Sequence, residues 1–173
     1  MRETPAELQG LQTLLDESAR RASPFLRSSF SMPEHSLSAA QLGTHLQGSL
    51  TVALASVSAG GEPRVAPIGA LFVHARFYVP TVAQSSRARH LARRPGVSLT
   101  YFEGTDLAVI AHGRAAIIGA GDPDFADLDA TQLAAGGQSV REWSGDGVYL
   151  EIAPASLYTY AREPGRYPPA AVA

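Results

Sequence analysis

From Leu50 onwards, short apolar segments follow one another through tight turns, and this spacing limits the folds that the chain can adopt. Six strands are predicted: Leu50–Ser58, Arg64–Val73, Arg76–Thr81, Val97–Phe102, Leu107–Ile118 and Val148–Ile152. Consecutive strands joined by short Gly-containing turns pair as antiparallel hairpins. Because most strands are not separated by helices, the pattern favours an antiparallel barrel with accessory helices over a doubly wound parallel sheet.

Helical spacing is clearest near the start of the chain, where leucines recur three and four residues apart: Leu8, Leu11, Leu14 and Leu15. This period is typical of an amphipathic helix. A helix capped by Ser38 is predicted to run to about Gln47, and Asp122–Pro123 to open a later helix, because serine and aspartate cap helices well. A short helix with serines before it and Pro95 after it is predicted between the third and fourth strands.

These elements divide the chain into three parts. Residues 1–48 are predicted to form a helical extension packed on the barrel, residues 49–162 the barrel, and residues 163–173 a flexible tail. Pro154 is expected to break the last strand, which resumes over Leu157–Tyr160, because proline cannot donate to a sheet.

Composition excludes several functional classes. The 173 residues contain no cysteine and no lysine, so the 14 residues of the Lys and Arg total are all arginine. Thiol catalysis, cysteine metal sites, P-loop nucleotide hydrolysis and pyridoxal-phosphate chemistry are therefore excluded. The net charge of −2 gives no general attraction to nucleic acid or membranes, and no long apolar run or apolar leader is present, so we expect a cytoplasmic protein.

The charge is unevenly distributed along the chain. Residues 63–102 contain no acidic residue but six arginines: Arg64, Arg76, Arg87, Arg89, Arg93 and Arg94. Arg87 follows Ser85 and Ser86 at the predicted start of the short helix, where free backbone N–H groups attract anions. This combination indicates a phosphate or carboxylate site. The other arginines of this helix are interpreted as its solvated face, opposite Leu91 and its alanine neighbours.

Metal sites and a dinucleotide-binding turn are not supported by the remaining motifs. The five histidines show no metal-ligand spacing, so no metal site is predicted. The Gly119-Ala120-Gly121 segment lacks the third small residue of a dinucleotide fingerprint, and two aspartates follow it. His90 lies one helical turn after Arg87 and is therefore a candidate for the same site.

The order of these motifs resembles that of the FMN-binding split β-barrel proteins of the pyridoxamine 5'-phosphate oxidase-like superfamily. The matching motifs are Thr51–Val57, the turn Gly60–Pro63, the strand Arg64–Ile68, Ser85-Ser86-Arg87, His90-Leu91, Arg94-Pro95, Val97–Leu99 and the closing strand Tyr149–Tyr160. The resemblance implies a mainly β, α+β fold: a six-stranded antiparallel split barrel with accessory helices. It also implies a homodimer with two cofactor sites at the interface.

The resemblance also implies which residues bind the cofactor. Ser85, Ser86 and Arg87 would hold its phosphate, Arg64, Ala66, Pro67 and Ile68 would flank its ring system, and Pro80 and Thr81 would line the groove. Oxidation of vitamin B6 is not expected, because the lysine that follows the second-strand arginine in true pyridoxamine-phosphate oxidases is missing after Arg64. The motifs look closer to the branch that uses the deazaflavin coenzyme F420, with FMN as the other cofactor.

The expected function is therefore hydride transfer from reduced F420 or FMN to a conjugated small-molecule acceptor. No catalytic residue is assigned, although His90 and Tyr101 are candidates for a general acid. Two alternatives remain open at this stage: a non-catalytic flavin or haem carrier with the same fold, and a barrel that serves only protein interaction.

Overall fold

A computed structural model describes residues 3–143 and 145–170, and these residues form a closed barrel of six antiparallel strands. The strands are β1 (Leu50–Val57), β2 (Pro63–Val73), β3 (Arg76–Val82), β4 (Gly96–Glu103), β5 (Leu107–Ile118) and β6 (Gly147–Ala161). Around the barrel their order is β1-β2-β3-β6-β5-β4. The prediction of a mainly β, six-stranded antiparallel barrel with accessory helices is confirmed.

The helices are α1 (Pro5–Arg21), α2 (Pro24–Ser29), α3 (Ala39–His45), α4 (Ser86–Arg93) and α5 (Phe125–Ala134). Ser38 caps α3 as predicted: its hydroxyl accepts from the Gln41 amide at 3.3 Å, while the Gln41 side chain accepts from the Ser38 amide at 2.8 Å. Within residues 3–143 and 145–170, no helix is both long and apolar enough to cross a membrane.

The predicted cap of α5 was wrong. The Asp122 carboxylate accepts from the backbone amide of Gly119 at 2.6 Å, so it closes the preceding turn instead of capping the helix. The helix begins at Phe125, and Asp124 stands at the cap position without a side-chain hydrogen bond to it. Asp and Asn form such local turns readily, which explains the shift.

The barrel interior and the N-terminal helices share one hydrophobic core. Leu54 and Val109 point inwards from the strands, and Leu11, Leu15 and Leu42 of α1 and α3 belong to the same buried cluster. At the other end of the chain, Tyr167 is buried and its ring lies 4.7 Å from that of His45. The first residues of the predicted tail are thus packed on the barrel, while residues 171–173 lie outside the described residues.

The second half of β6 receives hydrogen-bond partners from the N-terminal segment. The Leu157 amide donates to the Ser18 hydroxyl of α1 at 2.9 Å, and the Ala161 amide donates to the His35 carbonyl at 2.7 Å. The Thr159 hydroxyl accepts from the Leu37 amide at 2.8 Å. This strand pairs with β3 only as far as Ile152, so the N-terminal segment covers an edge that β3 leaves open.

Pro154 does not break the last strand, contrary to the prediction. β6 runs without interruption from Gly147 to Ala161, and the pairing with β5 shifts between His112 and Gly113. His112 pairs with Ser156 and Gly113 with Pro154, so one extra residue of β6 bulges out at the proline. A Cβ at Gly113 would lie 2.0 Å from the Ala153 carbonyl oxygen, so this close approach requires glycine.

Replacing Gly113 by alanine should destabilise the protein by about 1–3 kcal/mol, because the new methyl group must displace the backbone of β6. Urea denaturation of Gly113→Ala and of the wild-type protein measures the change in the free energy of unfolding. Gly69→Ala in β2 is the matched control, since no atom lies within 4 Å of a Cβ added there. An equal loss in both variants would contradict the role assigned to the close contact.

Candidate functional site

Helix α4 is fixed to the end of β3 by a small network of hydroxyl groups. The Ser85 hydroxyl accepts from the Ala88 amide at 3.1 Å and caps the helix. The buried Thr81 hydroxyl donates to the Ser85 oxygen, also at 3.1 Å. Ala88 and Leu91 anchor the other side of α4 in the barrel core. Thr81 and Ser85, both predicted to bind the cofactor, therefore position the helix that carries Arg87.

A cleft of about 140 Å³ lies between α4 and the hairpin of β1 and β2. We call it the anchor cleft; it is lined by Leu54, Ser56, Arg64, Val65, Ala66, Arg87 and His90. The register of the hairpin pairs Ser56 with Arg64 and Leu54 with Ala66, which places these four side chains on one face. Three residues predicted from the sequence, Arg64, Ala66 and Arg87, are thus brought together with the candidate His90.

Arg87 is the unbalanced charge of the anchor cleft. Its side chain is half-buried and, within the described residues, it has neither an ion pair nor a hydrogen bond. Burial lowers the pKa of its guanidinium, because desolvation disfavours the charged form. Arg64 differs, since it is exposed and paired with Glu62. An anion bound beside Arg87 would supply the counter-charge that the described residues do not.

The other predicted site residues do not line the anchor cleft. Ile68 packs against the hydrophobic core, Pro67 is exposed on the outside of the barrel, and Pro80 is buried in β3 opposite Tyr149. Ser86 is exposed at the first position of α4. Their contact with a cofactor remains a prediction.

Three lining residues were missed: Leu54, Ser56 and Val65. The alternating pattern of β1 already places Leu54 and Ser56 on one face, and the hairpin turn fixes which residues of β2 lie opposite them. The signal was therefore present in the sequence. These residues can be assigned to the cleft only when the pairing register of the β1–β2 hairpin is known.

Tyr101 lies outside the lining of the anchor cleft and takes part in a separate cluster. Its hydroxyl donates to Glu103 Oε1 at 2.6 Å, and the Nε2 atom of His45 lies 2.7 Å from the same oxygen. Burial and the bond to Glu103 raise the pKa of Tyr101. Burial also raises the pKa of Glu103, but the hydrogen bonds from Tyr101 and His45 outweigh this effect and hold it below its ordinary value of 4.5.

The depressed pKa of Glu103 predicts a loss of stability in acid. The carboxylate contributes stability above pH 4.5, and this contribution disappears as the pH falls through its lower folded-state pKa. Glu103→Gln should therefore be less stable than the wild-type protein at pH 7, by under about 1 kcal/mol because the group is partly exposed. Urea denaturation between pH 7 and pH 3 should show the difference shrinking below pH 4.5.

Glu34→Gln serves as the control for this experiment, since Glu34 is exposed and has no ion pair within the described residues. Its stability should follow that of the wild-type protein at every pH. A constant difference between Glu103→Gln and the wild-type protein down to pH 3 would contradict the assignment.

Comparison with protein families identifies the barrel. Residues 39–161 match the family model described as pyridoxamine 5'-phosphate oxidase. The chain belongs to this family. The matched region contains the whole barrel and α4, whereas α1 and α2 precede it. A comparison with curated protein sequences finds no match.

Solved structures share the fold at low sequence identity. An F420 reductase is 16% identical over 67% of this chain and 94% of its own, with a TM-score of 0.54. A conserved hypothetical protein from Mycobacterium tuberculosis is 19% identical over 78% of this chain and 89% of its own, with a TM-score of 0.58. The haem storage protein of Vibrio cholerae is 18% identical over 64% of this chain and 85% of its own, with a TM-score of 0.54. These similarities establish the split-barrel fold.

Proposed function

We propose that this protein binds the phosphate of a flavin or deazaflavin, FMN or F420, through Arg87 and uses the bound cofactor as an oxidoreductase. The observation that carries the proposal is the half-buried guanidinium of Arg87, which lacks a counter-charge within the described residues and faces a cleft. The chain's membership of the pyridoxamine 5'-phosphate oxidase family supports a flavin-type ligand. The F420 reductase with the same fold supports the deazaflavin.

The residues of the anchor cleft fit such a ligand. Arg87 offers a planar fork of donors for phosphate oxygens, and it stands in the first turn of α4, where the helix dipole favours an anion. The exposed Val65 and the partly exposed Ala66 supply apolar surface for a planar ring. When bound, the cofactor supplies the hydride chemistry, and the protein orients the reactants. The imidazole of His90 also lines the cleft and offers a polar group beside the ligand.

We further propose that the acceptor is a small conjugated molecule and that a second copy of this chain completes the site. One part of the outward-facing surface of β1, β2, β4, β5 and β6, which we call the outer face, contains no Asp, Glu or Arg side chain; Arg114 of β5 and Glu151 of β6 lie on the same side of the sheet beyond it. The residues of the outer face are Thr51, Ala53, Ala55, Val57, Pro63, Val65, Pro67, Gly69, Ser98, Thr100, Phe102, Ala108, Ile110, His112, Ser156, Tyr158 and Tyr160.

Two large apolar side chains of the outer face are strongly exposed: Val65 at 71% and Phe102 at 56%. A broad apolar surface of this kind is typical of a protein interface. Val65 belongs to the outer face and also lines the anchor cleft, so the cleft opens beside the surface that a second copy would cover. This continuity supports cofactor sites at a homodimer interface.

Loss of the Arg87 charge should weaken cofactor binding without unfolding the barrel. For Arg87→Gln we expect the affinity for FMN and F420 to fall by about 1.5–3 kcal/mol, the contribution of a charge-assisted hydrogen bond. Fluorescence titration measures the affinities. Riboflavin, which lacks the phosphate, should bind the variant and the wild-type protein equally.

Arg20→Gln is the matched control, because Arg20 is an exposed arginine on α1, away from the cleft. Its affinity for all three ligands should be that of the wild-type protein. Unchanged FMN and F420 binding by Arg87→Gln, with intact folding by circular dichroism, would refute the phosphate assignment.

The proposed dimer predicts a response to charge on the outer face. Phe102→Asp should convert the dimer into a monomer of 18.2 kDa, because a buried, unpaired carboxylate is costly in an interface. Phe25→Asp is the control, since Phe25 is 80% exposed but lies on α2 and outside the outer face. Size-exclusion chromatography with light scattering gives the masses. A monomeric wild-type protein would contradict the proposal.

A non-catalytic carrier of the same cofactor is the second candidate. It is favoured by the small number of groups in the anchor cleft that could transfer a proton, since its described lining contains one histidine, His90, and no carboxylate. Reducing the bound cofactor and then adding a panel of conjugated acceptors separates the two functions. Reoxidation that depends on the acceptor supports the oxidoreductase, whereas stable reduced cofactor with every acceptor supports the carrier.

A further inference from the structure

A pocket of about 250 Å³ lies between the N-terminal segment and the second half of β6. We call it the N-terminal pocket. Its walls come from α1, from residues 32–38, from α3 and from residues 157–159 of β6. It shares no lining residue with the anchor cleft, and most of its lining precedes residue 39, where the match to the family model begins. The pocket is therefore built largely by a part of the chain that the matched region does not include.

Hydrogen bonds fix the walls of the N-terminal pocket relative to one another. The Gln12 side chain accepts from the Ala39 amide at 2.9 Å and joins α1 to α3. The Leu37 amide donates to the Thr159 hydroxyl at 2.8 Å and joins the 32–38 segment to β6. Gln12, Leu37 and Thr159 line the pocket, so its shape is set by the fold. A preformed site lowers the cost of ordering side chains when a ligand binds.

One charge of the N-terminal pocket is not neutralised within the described residues. The exposed carboxylate of Asp16 accepts there only from the neutral side chain of Gln12, at 2.8 Å. Arg20 stands one helical turn after Asp16, but its ion pair is with Glu17, at 3.9 Å. The described lining contains no arginine or histidine that would repel a cation. The Ser36 hydroxyl, which has no hydrogen bond within the described residues, offers a second polar group.

The size and the apolar lining of the N-terminal pocket limit the ligand further. Ala19, Met32 and Pro33 are partly or fully exposed and line the pocket, so they offer apolar surface to a ring. Methionine adapts its shape to the molecule that it contacts. The volume of about 250 Å³ lies below the range typical of drug-sized ligands, roughly 300–1,000 Å³. The pocket therefore accommodates a single ring and is too small for a flavin.

We propose that the N-terminal pocket binds a small organic cation, an amidinium or primary ammonium group carried on one ring. The Asp16 carboxylate pairs with the cation, and Met32 and Pro33 contact the ring. An amidinium offers two parallel N–H donors, the bidentate arrangement in which carboxylates bind cations strongly. Because the two sites share no lining residue, this inference goes beyond the proposed function and does not depend on the cofactor.

Titration of the ¹⁵N-labelled full chain with benzamidine, followed through its backbone amide signals, tests the proposal. We expect saturable shifts at the amides of Leu37 and Leu157, which line the pocket. Benzamide is nearly the same shape but uncharged, and it should bind about tenfold more weakly because it forms no ion pair. Absent or non-saturating shifts at these amides, or equal affinities for the two compounds, overturn the proposal.

Two variants separate the charge of the pocket from its shape. Asp16→Asn keeps an acceptor for Gln12; it should bind benzamidine about tenfold more weakly and benzamide as the wild-type protein does. Ala19→Leu narrows the pocket and should weaken the binding of both compounds. Unchanged benzamidine binding in either variant would place the cation elsewhere on the surface and would overturn the proposal.

Glu142→Gln is the matched control, because Glu142 is an exposed carboxylate that does not line the pocket. It removes one negative charge and should leave both affinities unchanged. If this control loses as much benzamidine affinity as Asp16→Asn, the effect is one of net charge and the pocket is refuted. The anchor cleft is unaffected by that result, since FMN and F420 binding is measured separately.

Discussion

The site depends on the hydroxyl network that fixes the start of α4. Ser85 caps the helix and in turn accepts a hydrogen bond from Thr81 of β3. This arrangement, with Leu91 buried in the core, determines where Arg87 stands relative to the β1–β2 hairpin. Without it the half-buried guanidinium would turn into solvent, where its charge is hydrated and gains little from a ligand. The barrel therefore holds, at the proposed anion site, a charge that no group of the described residues neutralises.

Local patterns were sufficient to predict the barrel. Alternating apolar residues and short turns identified all six strands, because each strand buries one face and tight turns favour antiparallel neighbours. Helix caps were readable where one side chain bonds to the nearest backbone amide, as at Ser38. The cap of α5 could not be predicted in this way, because the Asp122 carboxylate can accept either from the start of a helix or from the preceding turn. It accepts from the Gly119 amide of that turn.

The remaining features depend on contacts between distant parts of the chain. Pro154 is compatible with β6 because Gly113, far away in sequence, leaves room for the bulge beside it. Of the predicted site residues, Arg64, Ala66 and Arg87 meet in the anchor cleft, but Ile68 and Pro80 pack elsewhere. Their positions follow from the register and curvature of the barrel. Proximity in sequence to a cleft residue does not decide which way a strand residue points.

The hydrogen bonds from the N-terminal segment to β6 have a consequence for the family barrel itself. Ser18 and His35 lie before the region that matches the family model, yet they accept from the amides of Leu157 and Ala161. A chain shortened to the matched region would leave these amides without their acceptors and expose an unpaired edge of β6. Such edges recruit strands from other molecules. The N-terminal segment thus protects this edge of β6 and prevents the sheet from pairing with strands of neighbouring molecules.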